Sequence, residues 1–269
     1  MKPGIFRLPL ARFLSRRRAV TAKNIYAQIG GASPILGQTE IQASALEDAL
    51  RGDEHVWRAF VCMRYWHPMT EEVVQQVRAF APDRVVLLPL YPQFSTTTTG
   101  SSVKAWKEEA ARLKATTHLL CCYPQEAGFV AASADLVKQE LRQLDPANTR
   151  VLFSAHGLPE KIVKAGDPYQ WQVERTAEAI AEAAGLTDWS ACYQSRVGPL
   201  KWIGPSTHDE IERAGREGAR LIEVQFGEPH DIEPVFLGGV DDIERRGEAF
   251  GLAAAGQHRK FVINTEFHQ

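Results

Sequence analysis

No stretch of this sequence stays apolar over the roughly 20 residues that a membrane-crossing helix needs, and its first residues carry neither the apolar stretch nor the small-residue cleavage site of a secretory signal. The cytoplasm is therefore the expected compartment. Phosphate-binding glycine loops are missing as well. Neither G-x-G-x-x-G nor G-x-x-x-x-G-K-[ST] follows any apolar run, and Gly30-Gly31 leads into Ser33-Pro34 without following a strand, which argues against an ordinary nucleotide-binding protein. Histidines do not recur at H-x-H or H-x-x-x-H spacing, and no C-x-x-C pair occurs, so a dedicated zinc site is not expected. The four cysteines, Cys62, Cys121, Cys122 and Cys192, sit in apolar, strand-like runs, as reduced core thiols do. A formal net charge of -2 gives no global reason to bind nucleic acid. Arg12, Arg16, Arg17, Arg18 and Lys23 nevertheless concentrate positive charge near the start, and that cluster needs a local explanation.

What is present is a repeated alternation of short apolar runs and amphipathic stretches. Val56 to Met63 reads as a strand, and Met69 to Ala81 as a helix with Val73, Val74, Val77 and Phe80 on one side. Arg84 to Leu90 and Thr117 to Tyr123 are further strand-like runs, separated by an amphipathic Ser101 to Lys114 and followed by a helical Gly128 to Leu144. A second series begins at Arg150 to Ala155. It continues with a helix over Tyr169 to Ala184, a strand over Trp189 to Gln194, a helix over Thr207 to Gly218 and a strand over Ala219 to Phe226. Continuous apolar strands alternating with helices imply parallel sheets covered on both faces. The expected architecture is α/β: two similar Rossmann-like domains, residues 1–125 and 126–269, with a cleft between them at the carboxyl ends of their strands.

Four loops that follow strands are unusual in composition. They are Met63-Arg64-Tyr65-Trp66-His67-Pro68, Pro89 to Ser95 with the threonines Thr96 to Thr99, Ser154-Ala155-His156-Gly157-Leu158-Pro159, and Tyr193 to Pro199 ending at Trp202. Aromatics beside a few polar groups suit a large, flat, apolar ligand with charged handles. Arg64 and Arg196 have the planar guanidinium that pairs with a carboxylate through two parallel hydrogen bonds. His156 follows Val-Leu-Phe-Ser-Ala and precedes Gly157, so it should emerge at the mouth of the cleft, where an imidazole can accept a proton or face a divalent metal.

Six phrases in order carry a resemblance: Ile25 to Pro34, Met63-Arg64-Tyr65, Pro89 to Ser95 with its threonine run, Phe153 to Pro159, Gly166-Asp167-Pro168-Tyr169, and Tyr193 to Pro199 with Trp202. Together they resemble the ferrochelatases, over about residues 12 to 222. The resemblance implies two Rossmann-like halves with a porphyrin between them, Fe(II) as the substrate metal and no organic cofactor. It implies insertion of Fe(II) into a porphyrin, protoporphyrin IX or coproporphyrin III, in haem biosynthesis. His156 matches the active-site histidine that takes up pyrrole protons or receives the metal. Tyr26, Ser33, Arg64 and Tyr65 match porphyrin-contacting positions, Arg17 and Arg18 lie near the propionate-facing arginines, and Trp202 matches a tryptophan lining the macrocycle pocket.

The sequence departs from that family at both ends. The short apolar strand and Gly-Thr-Pro-like or Gly-Gly-Pro-like loop with which the family opens do not precede Ile25, and the sequence begins at what would be the following helix. From about residue 226 the tail is atypical. The family's Phe-x-Ser-Glu-His-x-Glu-Thr-Leu-like segment is replaced by Phe226-Gly-Glu-Pro-His230-Asp-Ile-Glu233-Pro-Val235. With Phe226 and His230 in register, Glu233 falls one position late for the family's catalytic, metal-facing glutamate across the ring from the histidine; with Asp242-Ile243-Glu244 in register, Pro234 and Phe236 take the motif positions and the acid is absent. These departures leave a second reading, a non-catalytic tetrapyrrole-binding relative or inactive truncated form. The animal members' iron-sulfur cluster is not expected, because Thr96 stands at the loop cysteine position and no cysteine follows Cys192. Apolar Ile5, Phe6, Leu8, Leu10, Phe13 and Leu14 suit either a peripheral membrane contact or a helix packed on its own domain. Substrate choice between the two porphyrins and oligomeric state are not legible in the chain.

Overall fold

The computed structural model describes residues 35–52, 55–142, 144–145, 148–194, 199–226 and the backbone of 258–263, with single positions 19, 23, 27, 31 and 33 before them. The C-terminal half is built on a four-stranded parallel sheet. Its strands are β3 (Thr149–His156), β4 (Trp189–Gln194), β5 (Arg220–Phe226) and β6 (His258–Ile263), in spatial order β4-β3-β5-β6. Strand β3 is thus central, and Val151, Leu152, Phe153 and Ala155 are buried on both of its faces, as the unbroken apolar run requires. Phe261 falls within β6, whereas residues 227–257 lie outside the described residues.

Among the described residues two helices cover one face of this sheet. Helix α4 (Ala127–Leu141) places Ala134 and Val137 against Val173, Ala177 and Ile180 of α6 (Tyr169–Ala184), and both pack on Val151, Phe153 and Val224. Phe153 stacks on Phe226 at 5.5 Å and meets Trp189 edge-on at 5.8 Å. On the other face α7 (Thr207–Glu217) buries Ile211 and Ala214 against Leu152, Cys192 and Leu221. Helix α6 ends where Gly185 takes φ 70°, and α7 starts where Ser206 Oγ accepts from Asp209 N–H at 3.1 Å. A short helix, α5 (Glu160–Lys164), bridges β3 and α6.

The N-terminal half has its own small core among the described residues. It comprises α1 (Ile35–Ala49), α2 (Thr70–Phe80), β1 (Arg84–Leu87), α3 (Thr99–Glu109) with a 3-10 turn (Ala110–Arg112), and β2 (Thr116–Leu119). Strands β1 and β2 pair in parallel, and Val73, Val74 and Val77 of α2 meet Trp106 of α3 over Val85 and Leu87. At the start of α2, Glu72 Oε2 accepts from Met69 N–H at 2.7 Å and satisfies an otherwise orphaned helix donor. At its end Ala81 adopts φ 53°, the left-handed conformation usually given to glycine. Relief of the Cβ clash outweighs the extra entropy of an unfolded glycine there, so Ala81→Gly is expected to stabilise the fold by about 0.5–1 kcal/mol in urea titration; a fall in stability would refute this account.

Two expectations are corrected. Val56 to Met63 is extended but forms no strand among the described residues: Ala59 N–H donates to the Glu47 carboxylate at 2.6 Å rather than to a neighbouring strand, and Val56 is 87 % exposed. An apolar run becomes a strand only where a ladder partner satisfies its backbone, and only Phe60 of this run joins the small core. The cysteines are all free, but only Cys192 is a core residue; Cys62 and Cys121 are exposed. Cys62 belongs to the unladdered run, and β2 ends at Leu119, two residues before Cys121.

Candidate active site

The site begins at the carboxyl end of β3, where His156 pairs in register with Gln194 of β4. Burying Phe153 and Ala155 fixes the strand, so the last residue is carried out of the core at a defined height. The His156 Nδ1 atom is buried and has no hydrogen-bond partner in the structure. A buried ring nitrogen without a partner is costly in a resting protein and is suited to a ligand that supplies one.

Gly157 follows at a point of close backbone approach. Its N–H donates to Gln194 O at 2.8 Å, and a Cβ there would stand 2.7 Å from that same oxygen and 3.4 Å from Trp202 Cε3. Trp202 is held against this turn by the Pro159–Trp202 bridge, with Ile203 N–H donating to Leu158 O at 3.0 Å and Glu160 N–H to Lys201 O at 2.9 Å. The structure therefore sets Trp202 against the turn that follows His156, and the Trp202 Nε1 is likewise buried without a partner. Strand β4 carries a buried thiol and a largely buried phenol. Burial pushes the Cys192 thiol up to about 12 and raises the Tyr193 phenol well above its ordinary range, so both hold their protons at neutral pH.

Arg64 and Tyr65 sit in the N-terminal half, with the Arg64 guanidinium 4.8 Å from the Tyr65 ring centroid. Arg64 Nε donates to Ser101 Oγ in the first turn of α3 at 3.0 Å, while Tyr65 is exposed. Using Nε for Ser101 orients the fork of the guanidinium and leaves its two terminal nitrogens for a carboxylate. Ser33 Oγ accepts from Ile35 N–H at 3.3 Å at the start of α1. Its expected porphyrin contact would share that oxygen. Tyr26, Arg17, Arg18, Arg196 and Glu233 lie outside the described residues. Among the described residues no group of three or more His, Cys, Asp or Glu side chains is placed to hold a metal ion, and no helix is long and apolar enough to cross a membrane.

The loop after β1 is tied to the opposite half by contacts that sequence reasoning did not foresee. Asp167 is 6 % exposed. Its Oδ2 accepts from Ser95 Oγ at 3.0 Å, Thr96 N–H at 2.7 Å and Thr96 Oγ1 at 2.6 Å, while Oδ1 accepts from Tyr169 N–H at 3.0 Å at the start of α6. Beside it Gln172 Oε1 accepts from Phe94 N–H at 2.6 Å, and Gln93 Nε2 donates to Thr176 Oγ1 at 2.9 Å. The available signals were the phrase Gly166-Asp167-Pro168-Tyr169 and the threonine run after Ser95, which the resemblance marked without giving either a role.

Parallel sheets flanked by helices, with the distinctive side chains at the carboxyl ends of strands, place the protein among the α/β folds that carry their sites at strand ends. Its fold matches that of SirB from Bacillus subtilis with Fe3+ at a TM-score of 0.58, over 85 % of this chain and 84 % of that one, at 12 % identity. The family model for ferrochelatase matches residues 1–226, and the chain belongs to the ferrochelatase family. It is 53 % identical over 236 residues to a ferrochelatase of Caulobacter vibrioides, covering 85 % of this chain and 67 % of that protein. The ferrochelatase of Hyphomonas neptunium is 49 % identical over 283 residues, covering 97 % and 77 %, and that of Wolbachia from Drosophila simulans is 47 % identical over 226 residues, covering 82 % and 72 %.

Proposed function

We infer that this protein is a ferrochelatase, a metal-chelating lyase that inserts Fe(II) into a porphyrin in haem biosynthesis. The observation that carries this reading is the buried, unpartnered Nδ1 of His156 at the end of a central parallel strand beside Trp202, within a family match over residues 1–226. Metal can enter the macrocycle only as two pyrrole N–H protons leave, so a base must stand near the ring centre while the ring is gripped at its edge. His156 is assigned as proton acceptor or metal-facing group, with Glu233 as its acidic partner across the ring. Trp202 and Tyr65 provide flat apolar contact, Tyr26 and Ser33 further contacts, and Arg17, Arg18 and Arg64 the counter-charge to propionates. Binding energy from ring and propionates can offset the strain of bending the macrocycle toward the transition state.

The iron is substrate, and the reading includes no organic cofactor and no iron-sulfur cluster; Thr96 uses its hydroxyl on Asp167 at the loop position in question. Division into residues 1–125 and 126–269 is supported by α4 packing on α6 of the C-terminal sheet. A cytoplasmic location with peripheral membrane contact completes the assignment. The test is anaerobic metalation, following the visible spectrum of a soluble porphyrin mixed with the purified chain and Fe(II) or Zn(II). Metalation above the uncatalysed rate is expected. Porphyrin binding without metalation would replace the reading with a tetrapyrrole-binding relative, and neither, in a chain that melts without cooperativity, with an inactive truncated form.

A further inference from the structure

We propose that Asp167 is a positioning residue that sets the orientation of Arg64 in the opposite half, and thereby the protein's grip on a porphyrin carboxylate. The inference rests on the assignment of Arg64 as a carboxylate-binding residue. The chain of contacts is continuous. Asp167 Oδ2 gathers Ser95 Oγ, Thr96 N–H and Thr96 Oγ1. The carbonyl oxygen of Ser95 in turn accepts from Thr98 N–H at 3.3 Å and Gly100 N–H at 3.0 Å, so the same residue that Asp167 holds also sets the start of α3. One residue further along, Ser101 Oγ accepts from Arg64 Nε at 3.0 Å.

The two carboxylate oxygens divide the work. Oδ1 accepts from Tyr169 N–H, the first residue of α6, which packs on the sheet that carries His156, and Oδ2 holds the loop that leads to Arg64. One side chain thus references the carboxylate-binding arm to the framework of the proton-accepting one. A buried carboxylate with four donors is rigid, because each lost donor leaves a desolvated oxygen unsatisfied. Gln172 and Thr176 dock the same loop, but on Gln93 and Phe94, upstream of Ser95, so they do not define the start of α3.

Asparagine cannot replace this group. Its amide presents one oxygen and one NH2, so either the loop or the Tyr169 N–H faces a donor instead of an acceptor. The experiment is a double-mutant cycle on the full chain, titrating a dicarboxylate porphyrin by fluorescence quenching, with Asp167→Asn, Arg64→Ala and the pair. Asp167→Asn is expected to weaken binding about tenfold with Arg64 present and less than about twofold in the Arg64→Ala background. Equal weakening in both backgrounds would overturn the proposal and leave Asp167 a purely structural clasp. If Arg64→Ala itself leaves the porphyrin Kd unchanged, the assignment of Arg64 fails, and this proposal with it. Should Asp167→Asn not fold, Thr96→Val removes one of the three donors at nearly constant shape, and Thr96→Ser restores the hydroxyl. Non-additivity of Thr96→Val with Arg64→Ala, rescued by Thr96→Ser, is then the expected result, and additivity overturns it.

Discussion

His156→Ala is expected to slow porphyrin metalation by at least about 100-fold, the lower end of what a positioned acid-base group contributes, while changing the porphyrin Kd by less than about threefold. The separation follows from where the ring sits. Its Nδ1 makes no hydrogen bond in the structure, so truncation breaks no internal network, and the strand beneath it is fixed by Phe153 and Ala155. The ring-stacking and carboxylate-pairing surfaces assigned to Trp202, Tyr65 and Arg64 are untouched. A destabilisation of no more than about 1 kcal/mol is expected for a change at a strand end. Single-turnover metalation with Zn(II) and an equilibrium titration of metal-free porphyrin read the two quantities separately. Metalation that survives in the variant would move the proton-accepting role elsewhere, to Glu233 first; loss of binding in parallel with rate would make His156 a wall of the pocket rather than its base.

Legibility from sequence followed the range over which each feature is determined. The bounds Tyr169 to Ala184 and Trp189 to Gln194 coincide with α6 and β4, because helical periodicity, the glycine stop at Gly185 and a short apolar run are all local. Val56 to Met63 failed for the complementary reason. A strand exists only through its neighbour, and composition does not reveal whether a ladder partner is there. The same distinction divides the candidate site. His156 was legible because a lone histidine after a core strand is a local pattern, and Arg64 because it stands in an aromatic loop. The role of Asp167 was not, since its partners Ser95 and Thr96 lie 72 and 71 residues away in the chain and the group that it orients carries no sequence mark of that dependence. What the resemblance provided was the position of such residues, and what the structure adds is the set of contacts each one makes.

Gly157 shows such contacts most sharply, and Gly157→Ala is expected to be nearly as damaging to turnover as loss of His156, by a different route. The new Cβ would meet Gln194 O at 2.7 Å, well inside contact distance. Retreat is blocked on three sides. Gly157 N–H already donates to that oxygen at 2.8 Å, the oxygen belongs to the backbone of β4, and the Trp202 ring closes the gap at 3.4 Å. The turn can accommodate a methyl only by giving up the hydrogen bond or by pushing Trp202 from its place, for a stability loss of about 1–3 kcal/mol. Both responses displace the residue next in chain, His156, from a geometry in which a shift of about 1 Å can cost 100-fold in rate. Urea unfolding should therefore show a modest loss of stability with a much larger loss of metalation, and porphyrin affinity should fall with it because Trp202 moves. A Gly157→Ala protein that metalates at the parent rate would show that the His156 turn tolerates displacement, and would remove the argument for a fixed histidine at the centre of this site.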